Sequence, residues 1–343
     1  MTKRKKERGI QILRIVACFA VFICHFGQRL HIRTISINLY ELTQLGQYGV
    51  ELFFVISGYL ACFSLNNGKS VIEFYKKRIV RILPLYYFCI IYYFITETFI
   101  FKDVPADPLH LGWLRYIFCL NGIVPSEGYF WSNIGITWTI PVFMMFYLLA
   151  PVIIKLAKST FVSSVMTLFS FIVAYVVNNY LNGWMSSLIY LPCFMLGVLI
   201  YNAKKENLRF YTAIGLQLFV LILKYCDWSH YASKIIENTW LWGISAIFAS
   251  IILISDELIF KKQKAIKTIE VLDEHSYTLY LIHGITFCGI VDKVDINVFS
   301  NRIIGIVFRL IITIIGTGVL TVIIHKYIEK PIQHALSKVL LRK

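Results

Sequence analysis

The chain has 343 residues, of which 58% are hydrophobic, 16% are aromatic and only 15% are charged, with a formal net charge of +15. An average soluble domain carries about 25% charged residues, so this composition excludes a water-exposed globular surface and indicates a membrane protein. The basic excess lies between apolar segments, which is typical of topology signals and argues against nucleic-acid binding. The eight cysteines form no CxxC pair, which argues against a disulfide framework or a zinc ribbon.

Ten apolar windows approach the length of about 20 residues that a membrane-spanning helix needs. They lie at residues 9–28, 46–65, 82–101, 135–154, 161–181, 184–202, 210–226, 240–260, 276–292 and 303–325. The shorter window at 109–124 contains Arg115 and is predicted to be interfacial or re-entrant. The sequence therefore predicts an all-α, polytopic membrane bundle of about ten helices, organised as a single domain over residues 1–343.

The distribution of basic residues predicts the orientation of this bundle. If the N-terminus is cytoplasmic, 24 Lys and Arg residues lie in cytoplasmic segments and only 8 lie in external ones. Such a bias over short loops follows the positive-inside rule. We therefore expect both termini in the cytoplasm, with the first window acting as a signal anchor, because no small-residue cleavage site follows it.

The first predicted helix carries two ionisable residues, Arg14 and His25. Ionisable side chains within a span are costly and are candidates for function. A separation of 11 residues is about three helical turns, so both side chains face the same way, roughly 16 Å apart along the axis. Two alternatives remain open, namely that His25 is a structural hydrogen-bonding residue and that Arg14 only extends to the lipid headgroups.

The second predicted helix contains the segment GVELFFVISGYL, residues 49–60. Glu51 lies near the outer end of this span, at a depth similar to that of His25. A carboxylate beside an imidazole fixes its tautomer and stabilises the imidazolium, as a general base requires. The alternative is a solvated Glu51 at headgroup level. Ser57 and Gly58 are predicted to be small residues at a close helix contact.

Two arginines, Arg78 and Arg81, share one helical face in the segment FYKKRIVRILPLYY, residues 74–87. Guanidinium groups pair with phosphate through two parallel hydrogen bonds, so this face suits a phosphorylated cytosolic ligand or anionic lipid headgroups. Lys76 and Lys77 are interpreted as ordinary topology signals.

The sequence contains no HExxH, GxxxxGK[ST] or GxGxxG motif, and no His is followed five positions later by Asp. Zinc proteolysis, P-loop nucleotide hydrolysis and glycerolipid acyl transfer are therefore unsupported, and no metal site is predicted.

Taken together, these segments resemble the acyltransferase-3 family of bacterial membrane O-acyltransferases. The family's landmarks occur in order as ILRIVACFAVFICH, GVELFFVISGYL and RIVRILPLYY, followed by TWTIPVFMMFYLLAP (137–151), SYTLYLIH (276–283) and IEKPI (328–332). The resemblance covers nearly the whole chain, and six landmarks in order are specific although each alone is weak. It implies a stand-alone member without a fused extracellular domain.

The resemblance implies transfer of an acyl group, usually acetyl, from cytosolic acyl-CoA to a hydroxyl of a cell-surface or lipid-linked glycan at the bacterial cytoplasmic membrane. It implies that His25 is the catalytic base, oriented by Glu51, and that Arg14 is essential. Arg78 and Arg81 would hold the CoA moiety. His283 is a weaker candidate for the same cavity. Partner proteins of polysaccharide synthesis are also expected.

One position departs from the family pattern. The family usually has a Glu five residues after the landmark Trp, and counting from Trp138 this position is Phe143. This difference keeps a non-catalytic partner subunit open as an alternative. A transporter or flippase of a lipid-linked saccharide is another, although paired discontinuous spans, which would favour it, are not apparent.

Overall fold

The computed structural model describes residues 8–29, 32, 36–68, 70–101, 112–124, 132–228, 239–254, 263–291, 293, 299 and 301–341. Within these ranges all regular structure is helical, which confirms the predicted all-α class. The α-helices are α1 (Arg8–Arg29), α2 (Ile37–Gln44), α3 (Gly49–Asn66), α4 (Val71–Ile95), α5 (Gly112–Ile117), α6 (Thr139–Leu156), α7 (Thr160–Tyr180), α8 (Leu191–Lys205), α9 (Arg209–Trp228), α10 (Thr239–Ile254), α11 (Gln263–Thr286), α12 (Arg302–Ile324) and α13 (Lys330–Leu340). Single π-helical segments follow α4, α11 and α12, at Thr96–Phe101, Phe287–Val291 and His325–Glu329.

Seven of the described helical segments are long and apolar enough to cross a membrane. They are Arg8–Arg29, Ile37–Asn66, Val71–Ile100, Gly135–Leu156, Thr160–Tyr180, Ser186–Lys205 and Ile303–Leu340. Two further predicted spans, 210–226 and 240–260, fall on shorter apolar helices, Arg209–Ile222 and Gly243–Leu253. The predicted span at 276–292 occupies the second half of α11, whose first half carries charged residues. A helical membrane bundle is thus confirmed, whereas the number of ten spans stays a prediction.

Some sequence predictions concern residues outside the described ranges. These are the basic residues before Arg8, most of the loop before α5, and residues 255–260 of the predicted eighth span. The described part of the predicted interfacial window forms the short helix α5 and the turn after it.

The core of the bundle is organised around α3, which packs against α1, α6, α8 and α10. The crossing of α3 and α8 requires glycine on both helices. A Cβ atom on Gly58 would lie 2.0 Å from the carbonyl oxygen of Phe194, and one on Gly197 would lie 2.1 Å from that of Val55. The expectation that Gly58 marks a close helix contact is therefore confirmed, as is common for helices that pack within membranes.

Large apolar side chains cover the outer faces of α7, α9 and α12. Exposed examples are Phe161, Leu168, Phe169, Ile172, Leu218, Leu221, Ile304, Ile311 and Ile315. Soluble monomers do not present contiguous apolar surfaces of this kind. These faces fit contact with lipid chains, as expected for a membrane protein.

Candidate functional site

Three arginines from two helices line one cavity of about 950 Å³, here called the arginine cavity. Arg14 comes from the second turn of α1, and Arg78 and Arg81 come from the first half of α4. The Ser70 side chain accepts a hydrogen bond from the Glu73 backbone N–H and so caps α4, which fixes where the helix begins. The structure thus brings together three of the six candidate site residues named from the sequence.

Arg14 is held by a carboxylate from the far end of the chain. Its Nη2 atom lies 2.7 Å from Oδ1 and 2.8 Å from Oδ2 of Asp273 in α11. The Gln11 side-chain amide donates a further bond of 2.9 Å to Asp273. Arg14 Nε is buried without a hydrogen-bond partner. A guanidinium with a spare buried donor fits a site that receives a polar ligand group.

Arg78 and Arg81 occupy different environments although they share a helical face. The Arg78 guanidinium lies over two aromatic rings, 4.6 Å from the ring centre of Tyr147 and 5.2 Å from that of Phe74. Such stacking orients the planar group and leaves its edge available for hydrogen bonds. Arg81 is exposed at the cavity wall. One arginine is therefore fixed by its neighbours and the other is free to adjust to a ligand.

A second, narrow cavity of about 90 Å³ continues from the arginine cavity into the bundle. The same three arginines line it, together with Phe53, Phe143 and Tyr280. Phe53 and Tyr280 are in edge contact, with ring centres 5.5 Å apart. The Tyr280 hydroxyl lies 3.0 Å from the Thr139 hydroxyl.

Phe143 belongs to an aromatic cluster beside this narrow cavity. Its ring centre lies 5.0 Å from Phe54, 5.9 Å from Phe194 and 6.2 Å from Tyr147. The position that usually carries Glu in the family that the sequence resembles is thus occupied here by an apolar ring packed among other aromatic rings. Tyr147 also contacts Arg78. Phe143 therefore packs behind the ring that orients this arginine and adds no charge to the arginine cavity.

His25 stacks on a second histidine, which in turn contacts Tyr280 of the narrow cavity. The ring centres of His25 and His283 are 5.3 Å apart, and His283 is 5.9 Å from Tyr280. His283 is 1% exposed, and neither ring nitrogen has a hydrogen-bond partner. Buried polar atoms without partners are rare outside functional sites. The weaker candidate from the sequence, His283, therefore lies beside the stronger one.

Glu51 is buried at 6% exposure in the first turn of α3. Its Oε2 atom has no hydrogen-bond partner, and among the described residues Glu51 and His25 form no ion pair. The Nδ1 atom of His25 instead lies 3.0 Å from Oε1 of Gln28. The structure does not bring the expected orienting carboxylate to His25.

A polar network that the sequence did not reveal closes the other side of the arginine cavity. His325 Nδ1 lies 2.7 Å from Oε2 of Glu329, and the Thr278 hydroxyl donates to the same carboxylate. Lys330 forms an ion pair of 2.7 Å with Glu274 and thereby lowers the pKa of that carboxyl below its ordinary value. The i, i+4 spacing of His325 and Glu329 was the available signal.

The signal for Asp273 was weaker. It lies three residues before the SYTLYLIH landmark, just outside the predicted span, where a carboxylate reads as an ordinary surface residue. Across the described ranges, no group of three or more His, Cys, Asp or Glu side chains could hold a metal ion.

Comparison with known families identifies a match over most of the chain. A family model described as an acyltransferase domain matches residues 7–324. The provisionally named acetyltransferase ORF330 of Acidianus two-tailed virus is 23% identical over 74% of this chain and 77% of its own length. The acyltransferase MdmB of Streptomyces mycarofaciens is 25% identical over 43% of this chain and 38% of its own length.

The O-acetyltransferase OatA of Staphylococcus aureus is 24% identical over 95% of this chain. The match covers 57% of OatA, so the chain spans little more than half of that relative. No solved structure matches the chain.

Proposed function

The chain belongs to the acyltransferase-3 family, and from this premise we propose that it moves an acyl group, most often acetyl, from cytosolic acyl-CoA to a hydroxyl of a cell-surface or lipid-linked glycan. Its family membership and its acetyltransferase-named relatives make it an acyltransferase. The donor, the acceptor and the residue roles below belong to the proposal. The observation that carries it is the convergence of Arg14, Arg78 and Arg81 on one cavity, next to a second cavity whose lining residue Tyr280 contacts His283.

The arginine cavity is the proposed site for the phosphates of acyl-CoA. Guanidinium forks match phosphate oxygens, and Arg78 and Arg81 stand one helical turn apart on the cavity wall. The narrow cavity would receive the thinner acyl-carrying arm. Tyr280 lines this cavity together with the three arginines, and its ring centre lies 5.9 Å from that of His283.

Distance assigns a role to Arg14. Eleven residues of helix separate it from His25 by about 16 Å, whereas a donor that stabilises an oxyanion must lie about 3 Å from that oxygen. Arg14 therefore guides the donor at the cavity end, and its ion pair with Asp273 holds it there.

His25 is the proposed general base. It removes the proton of the acceptor hydroxyl while the hydroxyl oxygen forms a bond to the thioester carbonyl carbon. The C–S bond then breaks, and the CoA thiolate leaves with the proton from the His25 imidazolium. His283, adjacent and buried, offers a second nitrogen to the reacting groups. Glu51 stays a candidate catalytic residue, whose negative charge would influence the His25 region without direct contact.

We further propose that the protein resides in a bacterial cytoplasmic membrane with the arginine cavity facing the cytoplasm. The basic-residue distribution supports both termini on that side. The acceptor would reach His25 from the opposite face, supplied by proteins of polysaccharide synthesis. Reporter fusions near Lys69 and Lys204 should give cytoplasmic signals, and those near Asp103 should give external ones; an external C-terminus would contradict this orientation.

The test of the function is incubation of purified protein in nanodiscs with radiolabelled acetyl-CoA and glycan extracts. The proposal predicts base-labile label in the glycan fraction. Movement of unmodified lipid-linked saccharide without labelling would instead indicate a transporter.

A further inference from the structure

A continuous chain of side-chain hydrogen bonds links His25 to the backbone of α2. His25 Nδ1 lies 3.0 Å from Oε1 of Gln28, and the Gln28 amide nitrogen donates to Oε1 of Gln44 at 2.7 Å. The Gln44 amide nitrogen donates to the Thr43 hydroxyl at 3.2 Å. That hydroxyl donates to the backbone carbonyl of Tyr40 at 2.7 Å.

The last bond fixes the direction of every other bond. A backbone carbonyl only accepts, so the Thr43 hydroxyl spends its single proton on Tyr40 and must accept from Gln44. Gln44 therefore turns its amide nitrogen toward Thr43 and its oxygen toward Gln28. Gln28 in turn gives its nitrogen to Gln44 and presents its oxygen to His25. An amide oxygen requires a donor, so Nδ1 of His25 carries the hydrogen.

We propose that Gln28, Gln44 and Thr43 are positioning residues that hold His25 in the Nδ1–H tautomer, with Nε2 as its free base nitrogen. We call these three residues the His25 relay. The inference deepens the proposed function, since a tautomer matters for catalysis only if His25 is the base. It assigns to neutral amides the orienting role that the sequence suggested for Glu51.

The backbone around the relay is packed so closely that its members keep their places. A Cβ atom on Gly27 would lie 2.2 Å from the Thr43 hydroxyl oxygen. A Cβ atom on Gly46 would lie 2.0 Å from the carbonyl oxygen of Ala20. The glycines let α1 approach α2 and the turn after it. This contact sets the distance that the bond between Gln28 and Gln44 spans.

The relay fixes the tautomer of a neutral base without placing a charge beside it. A charged partner stabilises imidazolium, whereas an amide chain holds the ring orientation and leaves the neutral form intact. The His283 ring stacks on His25, and two imidazolium charges at this distance would repel each other. A neutral His25 with Nε2 free is the state from which proton removal begins.

The first experiment measures the tautomer directly and does not depend on activity. Protein labelled with ¹⁵N-histidine is placed in nanodiscs at neutral pH, and the His25 signals are assigned by their loss in His25→Asn. The proposal predicts a protonated Nδ1 and an unprotonated Nε2. A dominant Nε2–H form in the unmodified protein would overturn it, whatever the enzyme turns out to transfer.

Thr43 provides the sharpest variant, because it touches no atom of the imidazole. Thr43→Val keeps the side-chain shape but removes the hydroxyl that orients the relay, so the Nε2–H fraction should rise. Thr43→Ser keeps the hydroxyl and should leave the spectrum unchanged. Equal spectra for Thr43→Val and Thr43→Ser would contradict the proposal that Thr43 belongs to the relay.

The kinetic experiment uses Gln28, whose side chain is exposed enough to be replaced without repacking. Gln28→Met removes the acceptor and should lower kcat by about 3- to 10-fold, the worth of one hydrogen bond, with KM for the donor unchanged. Gln47→Met, an exposed change outside the relay, is the matched control. An unchanged kcat in Gln28→Met would overturn the positioning role. If the unmodified protein showed no acyl transfer but His25 had the expected tautomer, the proposed function would be wrong and the positioning of His25 would stand.

Discussion

Arg14 and Asp273 form an ion pair of 2.7 Å that joins α1 to α11 across 259 residues of sequence. Their side chains are only 17% and 11% exposed. The pair fixes the charged end of the cavity to the same two helices that bring His25 and His283 together farther along. One pair of helices therefore positions both the Arg14 end of the proposed donor site and the proposed base.

Loss of this ion pair should destabilise the bundle. Asp273→Asn leaves the partly buried guanidinium without its counter-charge and should lower the free energy of unfolding by about 1–3 kcal/mol. Thermal unfolding in detergent measures the effect. A double-mutant cycle with Arg14→Met and Asp273→Leu separates the pair from each side chain alone. Additive effects in that cycle would show that the contact contributes nothing specific.

The two arginines of α4 should differ in how they bind the donor. Arg78→Lys loses both the phosphate fork and the stacking on Tyr147 and Phe74, so acyl-CoA affinity should fall by about 10-fold or more. Arg81→Lys loses only the fork and should have a smaller effect that depends more on salt, because Arg81 is exposed. Titration in nanodiscs gives the affinities.

Lys76→Met is the control for these variants, since Lys76 does not line the arginine cavity. Its affinity for acyl-CoA should match that of the unmodified protein. If an Arg78→Ala, Arg81→Ala double variant kept full affinity, the donor would bind elsewhere.

The ion pair of Glu274 and Lys330 predicts a pH-dependent contribution to stability. Lys330 lowers the pKa of Glu274 through a direct hydrogen bond. A lowered pKa stabilises the folded state above the unfolded pKa, and this stabilisation is lost as the pH falls through the folded pKa. Glu274→Gln should thus destabilise the protein at neutral pH and have no effect in acid below the folded pKa.

The size of this effect is limited, because the Glu274 side chain is 48% exposed. We expect less than about 1 kcal/mol at neutral pH. Thermal unfolding at the two pH values measures it, with Glu41→Gln as an exposed control in α2. A Glu274→Gln effect of equal size at both pH values would contradict the ion-pair account.

His283 should matter for turnover and not for folding. His283→Phe keeps an aromatic ring against Phe22 and Phe287 but removes two buried nitrogens that lack partners. Thermal stability should be retained, whereas kcat should fall by about 10-fold or more, the equivalent of one hydrogen bond to a charged group. An unchanged kcat would make His283 a packing residue.

Hydropathy predicted the helical class and ten spans, seven of which the structure supports. The i, i+3 spacing predicted that Arg78 and Arg81 share one helical face. Spacing also placed Arg14 and His25 on one face of α1, since that relation depends only on helical geometry. The partner of each residue could not be predicted in this way. The depth at which α3 meets α1 cannot be read from hydropathy. Gly49 packs against Ala17 and Val21, so Glu51, two residues farther into α3, lies away from His25.

Contacts between distant segments were hidden for the same reason. Asp273 and His283 meet α1 because α11 packs beside it, and no local pattern encodes that neighbour. The bond between Gln28 and Gln44 could not be predicted either, because it depends on the packing of α2 and the turn at Leu45–Tyr48 against α1.

The most direct test of the central claim is the fate of His25→Ala in a combined binding and transfer measurement. The account predicts that this variant inserts normally and binds acyl-CoA like the unmodified protein, because the arginine cavity is intact. Transfer of labelled acetyl to the glycan should fall by about 10²- to 10⁴-fold, the usual loss for a general base. Near-normal transfer by His25→Ala would contradict the account, because the imidazole would then have only a structural role.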